Sequence, residues 1–136
     1  VKLLDEKKEQ VIDSHIECHP EIDNDLKRLI GNSGLENALS IILFKRIEFI
    51  LELRHDVYKN KNFKILKDTD GMIRFKMVIG QRMNLRIIFK WVQLNGIEKA
   101  VLLHAFNEKD SKNNSDTSYS KAIKVAKKRL DEIVKE

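Results

Sequence analysis

Basic side chains recur at alternate positions within the most apolar part of the chain, residues 72–93. Arg74 and Lys76 are two residues apart, and Arg86 follows after the tripeptide GQR at residues 80–82. If this tripeptide forms a hairpin loop, Lys76 faces Arg86, because residues opposite each other in a hairpin share a face of the sheet. The pattern thus predicts one face that gathers three cations and one apolar core face, on which the pairs are Ile79 with Met83, Met77 with Leu85, Phe75 with Ile87, and Ile73 with Phe89.

Such a cluster of cations is suited to binding a phosphodiester. Like charges that face each other across strands destabilise a sheet by up to about 1 kcal/mol per pair, and a bound anion removes that repulsion. An arginine guanidinium offers a planar fork to two phosphate oxygens, and a lysine offers a compact charge. When an RNA 2′-hydroxyl attacks the adjacent phosphate, fixed cations stabilise the negative charge of the transition state. The alternative, which the sequence leaves open, is a solvated sheet face with spaced lysine and arginine side chains.

RNA cleavage also needs groups that accept and donate a proton, and Glu108 and His104 are candidates. Glu108 is a possible general base, with a solvated loop acid as the simpler interpretation. His104 is a possible general acid, because imidazole exchanges protons near neutral pH. A two-residue turn at residues 95–96 would place His104 opposite Ile87 on the apolar side, which favours a structural histidine unless a β-bulge reverses the register. If neither residue is suitably placed, a lysine with a depressed pKa would have to accept the proton.

The other histidines and the single cysteine show no metal-site pattern. No spacing pairs His15, His19 or His55 with one another or with Cys18, so we expect no metal and no cofactor. One cysteine cannot form an internal disulfide, which suits a reducing, cytoplasmic compartment. The first ten residues are too charged for a signal peptide, and the longest apolar run, residues 38–44, is too short for a membrane span, so we expect no membrane contact.

The charge of the chain is unevenly distributed. Residues 1–60 hold 9 Lys/Arg and 12 Asp/Glu, whereas residues 61–136 hold 17 Lys/Arg and 9 Asp/Glu. A basic half on a mixed chain favours a polyanionic partner, although lysines that merely solubilise the surface give the same count. The length fits one domain, which we place at residues 11–136 behind a tail or extension at residues 1–10.

The N-terminal half predicts one strand and two helices. The strand is expected over residues 11–18, and Pro20 suits the first position of the helix that follows. Ser33 and Glu36 form a capping box for a second helix, whose apolar period reaches Arg54. The two helices are interpreted as a hairpin with an apolar face that needs a sheet to cover it.

The C-terminal half predicts that sheet and a last helix. Strands are expected over residues 72–79, 83–93 and 98–107, which are rich in Ile, Val, Phe and Trp. A polar loop is expected over residues 109–118, with Ser118 or Asp116 capping the helix that follows. One stripe of this helix is apolar and consists of Tyr119, Ala122, Ile123, Ala126, Leu130 and Ile133.

Several short motifs resemble the RelE/ParE toxin superfamily, and in particular its HigB-like, phage-derived branch. The sequence RIIF at residues 86–89 and LLHAF at residues 102–106, followed by Lys109, are typical of that branch. The helix centre KAIKVAKKRL also fits, and HPE at residues 19–21 resembles the superfamily's first strand-to-helix junction. The resemblance covers roughly residues 11–134. It implies an α+β, RelE-like fold in which an N-terminal strand and a two-helix hairpin pack on an antiparallel three- to four-stranded sheet, with a C-terminal helix.

The resemblance also implies an activity, partners and site residues. The activity is that of a type II toxin, a ribosome-dependent, metal-independent endoribonuclease that cleaves messenger RNA and so inhibits translation. The implied partners are the ribosome, messenger RNA and a cognate antitoxin, a helix-turn-helix protein. By residue, it implies catalytic roles for Arg74, Lys76, Arg86 and Lys109, and RNA-binding roles for Asn84, Lys112 and Tyr119.

The sequence departs from the family pattern around residue 108, and two other functions stay open. The branch commonly has two lysines after the phenylalanine, whereas here Glu108 and Asp110 flank Lys109, and the proline that usually precedes the last helix is missing. The first alternative is a non-catalytic inhibitor of DNA gyrase, as in the ParE branch, which lacks the basic cluster on the sheet. The second is a non-toxic module that binds nucleic acid through charge alone.

Overall fold

The computed structural model describes residues 15–80, 83–108 and 112–134, and the side chains of the last range from Tyr119 onward. Within these residues, five strands form one mixed sheet in the order β1-β5-β4-β3-β2. The strands are β1 (Ile16–Cys18), β2 (Phe63–Ile65), β3 (Ile73–Ile79), β4 (Met83–Leu94) and β5 (Ile97–Asn107). The helices are α1 (Ile22–Ile30), α2 (Glu36–Leu53) and α3 (Lys112–Val134), with a 3₁₀ helix at Arg54–Lys59.

The register of the β3–β4 hairpin agrees with the parity of the sequence. Lys76 pairs with Arg86, and every apolar pair expected on the opposite face is present, from Ile73 with Phe89 to Ile79 with Met83. The turn between β4 and β5 is also the expected tight one, because Asn95 and Gly96 both have positive φ, at 52° and 79°. Hydrophobic alternation therefore determines which side chains reach each face of these strands.

The main core lies between this apolar face and the helices α1 and α2. Phe75 and Phe89 are fully buried, with ring centroids 5.9 Å apart. Burying a side chain of this size stabilises the fold by about 1.5–3 kcal/mol. The two helices contribute one buried stripe each: Ile22, Leu26 and Ile30 from α1, and Leu39, Leu43, Ile47 and Ile50 from α2.

The other face of the sheet is partly covered by α3. Ala122 and Ala126 are buried, and their small side chains allow the helix to approach Ile88 and Phe106 closely. The expected stripe is confirmed, since Tyr119, Ile123, Leu130 and Ile133 pack around the same cluster. Helix α3 contacts β5 and β4, so most of this face of β3 is left to polar and charged side chains.

Two expectations about local structure are wrong, and a third is described only in part. Ser33 does not cap α2; instead its Oγ accepts a hydrogen bond from the Leu35 amide at 3.3 Å, and α2 begins at Glu36 without a side-chain cap. The C-terminal loop is shorter than residues 109–118, because α3 already begins at Lys112, ahead of the expected caps at Asp116 and Ser118. The part of the N-terminal strand expected over residues 11–14 lies outside the described residues, and β1 is Ile16–Cys18.

The sheet is larger than the expected three or four antiparallel strands. Strand β2 was not expected, because three residues carry too little periodicity to indicate a strand. These three residues form a strand because they pair with β3, with Lys64 opposite Arg74. Strand β1 pairs with β5 in parallel, with Ile16 opposite Ala100, so the sheet is mixed. Among the described helices, none is long and apolar enough to cross a membrane.

Candidate phosphate-binding face and its neighbours

Four cations share the face of the sheet that α3 leaves largely uncovered, and we call Lys64, Arg74, Lys76 and Arg86 the basic face. Lys64 on β2 lies opposite Arg74 on β3, and Lys76 lies opposite Arg86 on β4. Opposite residues in antiparallel strands have Cβ atoms only about 4.5–5.5 Å apart. Exposure falls across the sheet: Lys64 is exposed, Arg74 and Lys76 are half-buried, and Arg86 is 9% exposed.

Arg74 and Lys76 are held by the segment that leads into β2. The Arg74 Nη1 donates to the carbonyl of Asn62 at 3.1 Å, and the Lys76 amide donates to the same oxygen at 2.9 Å. On the other side, Arg46 of α2 donates from Nε to the Lys76 carbonyl at 3.0 Å. The buried Arg74 Nε has no hydrogen-bond partner among the described residues. One guanidinium donor of Arg74 is thus buried without an acceptor in the described part of the chain.

Arg86 is paired with a carboxylate at the end of β5. Its Nη2 forms a salt bridge with Glu108 Oε2, in which the side chains are 11% and 20% exposed. The Nη1 donates to the Leu85 carbonyl at 3.2 Å, and the buried Nε has no hydrogen-bond partner among the described residues. Glu108 is positioned by its own amide, which donates to the Asn84 carbonyl at 3.1 Å and so extends the β4–β5 ladder by one residue.

A β-bulge in β5 corrects the expected position of His104. Pairing runs regularly from Leu94 with Ile97 to Phe89 with Leu102, and then shifts so that His104 lies opposite Ile88 instead of Ile87. Leu103 is the additional residue, and both it and Ile88 belong to the cluster beneath α3. The bulge therefore turns His104 to the face that carries Arg86, where sequence parity had placed it on the opposite, apolar side.

His104 belongs to a buried polar network centred on Asp25 of α1. The Asp25 side chain is fully buried and its Oδ2 lies 3.3 Å from His104 Nδ1. Arg129 of α3 binds both carboxylate oxygens, the Ala105 amide donates at 3.2 Å, and Arg28 donates at 2.7 Å. Burial alone raises the pKa of Asp25, but hydrogen bonds from His104, Arg129 and the Ala105 amide outweigh it and hold that pKa well below its usual value.

This network also satisfies the edge of β5 beyond the end of β1. Arg129 donates from Nη1 to the Leu103 carbonyl at 3.0 Å, while Asp25 accepts from the Ala105 amide. These backbone groups would otherwise be unpaired at a sheet edge, at a cost of about 1–3 kcal/mol each. The ion pair thus connects α1 and α3 across the edge strand.

A shallow pocket of about 180 Å³ opens beside His104, between β5 and α3. The His104 ring stacks on Phe106 with an interplanar angle of 10° and a centroid distance of 5.9 Å. Phe106 in turn meets the edge of Tyr119 at 5.2 Å. The rest of the lining is mixed in polarity and consists of Asn107, Lys121, Ala122 and Val125.

The residues singled out from the sequence fall into three groups. Arg74, Lys76 and Arg86 come together on the basic face, and Glu108 and His104 lie beside it. Tyr119 packs against Phe106 beneath α3, and Asn84 is half-buried beside Glu108. The remaining two predicted residues cannot be placed in this way. Lys109 lies outside the described residues, and Lys112 is the first residue of α3, but its side chain is not among the described ones.

Sequence reasoning missed Lys64, Asp25 and Arg129. Lys64 was missed together with its strand β2. Asp25 and Arg129 are 104 residues apart and meet only because α1 and α3 pack against the same edge strand. Nothing in the local sequence indicates that contact. Asp25 does lie on the same helical face as Ile22 and Leu26, however, and a charged residue is unusual in a buried stripe. Within the described residues, no group of three or more His, Cys, Asp or Glu could hold a metal ion.

Comparisons with known proteins add no relative: the chain matches no protein-family model, no curated protein and no solved structure. This overturns the expectation of an antitoxin, the ribosome and messenger RNA as partners, because that expectation depended on relatives that the comparisons do not supply.

Proposed function

We propose that this protein is a metal-independent endoribonuclease with a RelE-like fold, which cleaves RNA through attack of a 2′-hydroxyl on the adjacent phosphodiester. Growth arrest by RNA cleavage is the corresponding biological role, in line with the RelE/ParE resemblance. The observation that carries the proposal is the direct pairing of Lys76 with Arg86, extended by Arg74 and Lys64 into one basic face.

The basic face is less stable without an anion than with one. Each pair of like charges across strands destabilises the sheet by up to about 1 kcal/mol. Among the described residues, the buried Nε atoms of Arg74 and Arg86 have no hydrogen-bond partner. A phosphate that lies near Lys76 and accepts from the guanidinium groups relieves the repulsion between the cations, and the fork of an arginine suits a phosphodiester in particular.

The pair of Arg86 and Glu108 supplies a way to couple binding to proton transfer. A phosphate oxygen competes with the Glu108 carboxylate for the Arg86 guanidinium. Displacement leaves a carboxylate next to the bound phosphate, where it accepts the proton of the 2′-hydroxyl. The 2′-oxygen then attacks phosphorus and the bond to the 5′-oxygen breaks, which yields a 2′,3′-cyclic phosphate and a 5′-hydroxyl. Arg86 and Lys76 stabilise the charge that builds up on the phosphate.

The test is cleavage of single-stranded RNA by the purified protein in the presence of EDTA, with chemical analysis of both new ends. We expect 2′,3′-cyclic phosphate and 5′-hydroxyl ends. Lys76→Ala should reduce the rate by a factor of about 100, as expected for the loss of a group that stabilises the transition state. The matched control is Lys127→Ala, which removes the same charge from an exposed position on α3 and should leave the rate unchanged.

Two results would contradict the proposal. RNA that binds in a salt-dependent manner but stays intact would establish a nucleic-acid-binding module instead, because charge alone gives such binding. Equal rates for Lys76→Ala and Lys127→Ala would show that any cleavage does not use the basic face.

A further inference from the structure

We propose that Asp25 is a positioning residue for a second proton carrier, His104, and that His104 Nε2 protonates the leaving 5′-oxygen. This inference rests on the proposed endoribonuclease and names the acid that the reaction needs in addition to Glu108. Its basis is the arrangement of Asp25, His104 and Arg86 around the bulge in β5.

The hydrogen bonds around Asp25 determine which nitrogen of His104 carries the shared proton. Asp25 is ionised at neutral pH, because its pKa lies well below the usual value, and a carboxylate can only accept. Arg129 Nη1 lies 3.3 Å from His104 Nδ1, but its two hydrogens are already directed at Asp25 and at the Leu103 carbonyl. Nδ1 therefore carries a hydrogen and donates it to Asp25, which leaves Nε2 as the nitrogen that exchanges protons with a ligand.

The strand register places His104 and Glu108 on the two sides of Arg86. Arg86 pairs with Phe106, and His104 lies opposite Ile88, the next position of β4 on that face. Glu108 follows on the other side, and its carboxylate reaches back to the guanidinium. Diagonal neighbours across strands are about 7–8 Å apart, within reach of long side chains. In-line displacement needs a proton acceptor and a proton donor on opposite sides of phosphorus, and Glu108 and His104 lie on opposite sides of the Phe106 position that pairs with Arg86.

The surroundings of His104 fit a catalytic imidazole better than a side chain that only packs in the core. Its side chain is 15% exposed and lines the pocket between β5 and α3. Without the ring, Asp25 would still accept hydrogen bonds from Arg129, Arg28 and the Ala105 amide. Stacking on Phe106 fixes the plane of the ring, and Asp25 fixes its rotation. The groups that face His104 are thus Asp25 from α1, and Arg129 and Lys121 from α3.

The proposed step is balanced in protons. The 2′-hydroxyl proton passes to Glu108 as the new P–O2′ bond forms. His104 enters the step as an imidazolium, with one hydrogen on Nδ1 and one on Nε2. The bond from phosphorus to the 5′-oxygen breaks, that oxygen takes the proton from Nε2, and the imidazole with its hydrogen on Nδ1 remains. Water then carries a proton from Glu108 back to His104, so neither an oxidant nor a metal takes part.

Cleavage of a sulfur-substituted RNA distinguishes a general acid from a residue that only supports the fold. When the bridging 5′-oxygen is replaced by sulfur, the leaving group is a thiolate and needs no proton. We expect His104→Ala to cleave ordinary RNA about 100-fold more slowly than wild type, the usual contribution of a general acid. The same variant should cleave the sulfur-linked RNA at nearly the wild-type rate, and Asp25→Asn should behave in the same way with a smaller loss.

The tautomer of His104 can be measured without any variant, which covers the case in which Asp25→Asn does not fold. Nitrogen NMR of the wild-type protein at neutral pH should show a hydrogen on Nδ1 of His104. A hydrogen on Nε2 alone would overturn the inference. So would equal slowing of His104→Ala on both RNA substrates, provided the wild type cleaves both. If the wild type cleaves neither, the proposed function itself fails, and this inference fails with it.

Discussion

At the scale of single residues, Arg86 and Asp25 show two different uses of a nearly buried charge. Arg86 is paired with one carboxylate, and its buried Nε has no hydrogen-bond partner in the part of the chain that the structure describes. Asp25 is fully satisfied by Arg129, Arg28, His104 and a backbone amide. A fully satisfied buried network rigidifies the elements that it joins, and here it also holds the ring of His104.

The Asp25 network predicts a loss of stability in acid. Because its pKa is depressed in the folded protein, ionised Asp25 stabilises the fold above the ordinary aspartate pKa of 3.8, and that contribution is lost as the pH falls below it. Urea denaturation between pH 7 and pH 3 should therefore show a steeper fall in the free energy of unfolding for the wild type than for Asp25→Asn. Asp23→Asn, which changes a half-exposed neighbour paired with Lys27, should follow the wild type. Parallel curves for wild type and Asp25→Asn would contradict this account.

The position of a site residue could be predicted from the sequence only where the alternation of a regular strand determines its face of the sheet. Arg74, Lys76 and Arg86 share a face because apolar residues alternate with them over seven pairs. His104 was misplaced because one additional residue, Leu103, shifts the register, and a bulge has no signature in a regularly apolar strand. The pairing of Asp25 with Arg129 depends on packing between distant helices, which no local pattern reveals.

At the scale of elements, α3 decides how much of the basic face stays accessible. It packs through Ala122 and Ala126, and these small residues set its distance from β4 and β5. The α3 start at Lys112 was not predicted, because Asn, Ser and Asp are abundant in its first turns and are typical of loops. Strand β2 was missed for a related reason, since its pairing with β3 and not its own composition makes it a strand.

The close approach of α3 predicts a strong effect of side-chain size at one position. Ala126 is fully buried, so Ala126→Leu should overpack the interface and reduce the free energy of unfolding by about 1–3 kcal/mol. Lys127→Leu introduces the same side chain at the next position, which is exposed, and should change the free energy of unfolding by less than about 0.5 kcal/mol. Urea denaturation measures both. Similar values for the two variants would show that α3 does not pack on the sheet through Ala126.

At the scale of the whole molecule, the basic residues of the C-terminal half form two surfaces. The Lys and Arg residues after residue 60 include the four of the basic face and also Lys124, Lys127 and Lys128 on the exposed side of α3. The sequence was sufficient to predict an α+β fold with a β3–β4–β5 meander between helices. It was insufficient for the five-stranded mixed sheet, because both additional pairings involve strands of three residues.

The basic face also predicts how RNA affinity depends on salt. Each phosphate contact to single-stranded nucleic acid contributes about 0.7 to the slope of log affinity against log salt concentration. Lys64→Ala, which removes an exposed member of the basic face, should lower that slope by about this amount. Lys128→Ala on α3 should leave it unchanged. Equal losses for both variants would indicate diffuse attraction over the surface instead of a defined site.

The most direct test of the central claim is induced expression in a bacterium with mapping of new 5′ ends in cellular RNA. Wild-type protein should arrest growth and produce 5′-hydroxyl ends that are absent with Lys76→Ala and present with Lys127→Ala. Growth arrest with intact RNA, or the same ends from both variants, would contradict the account.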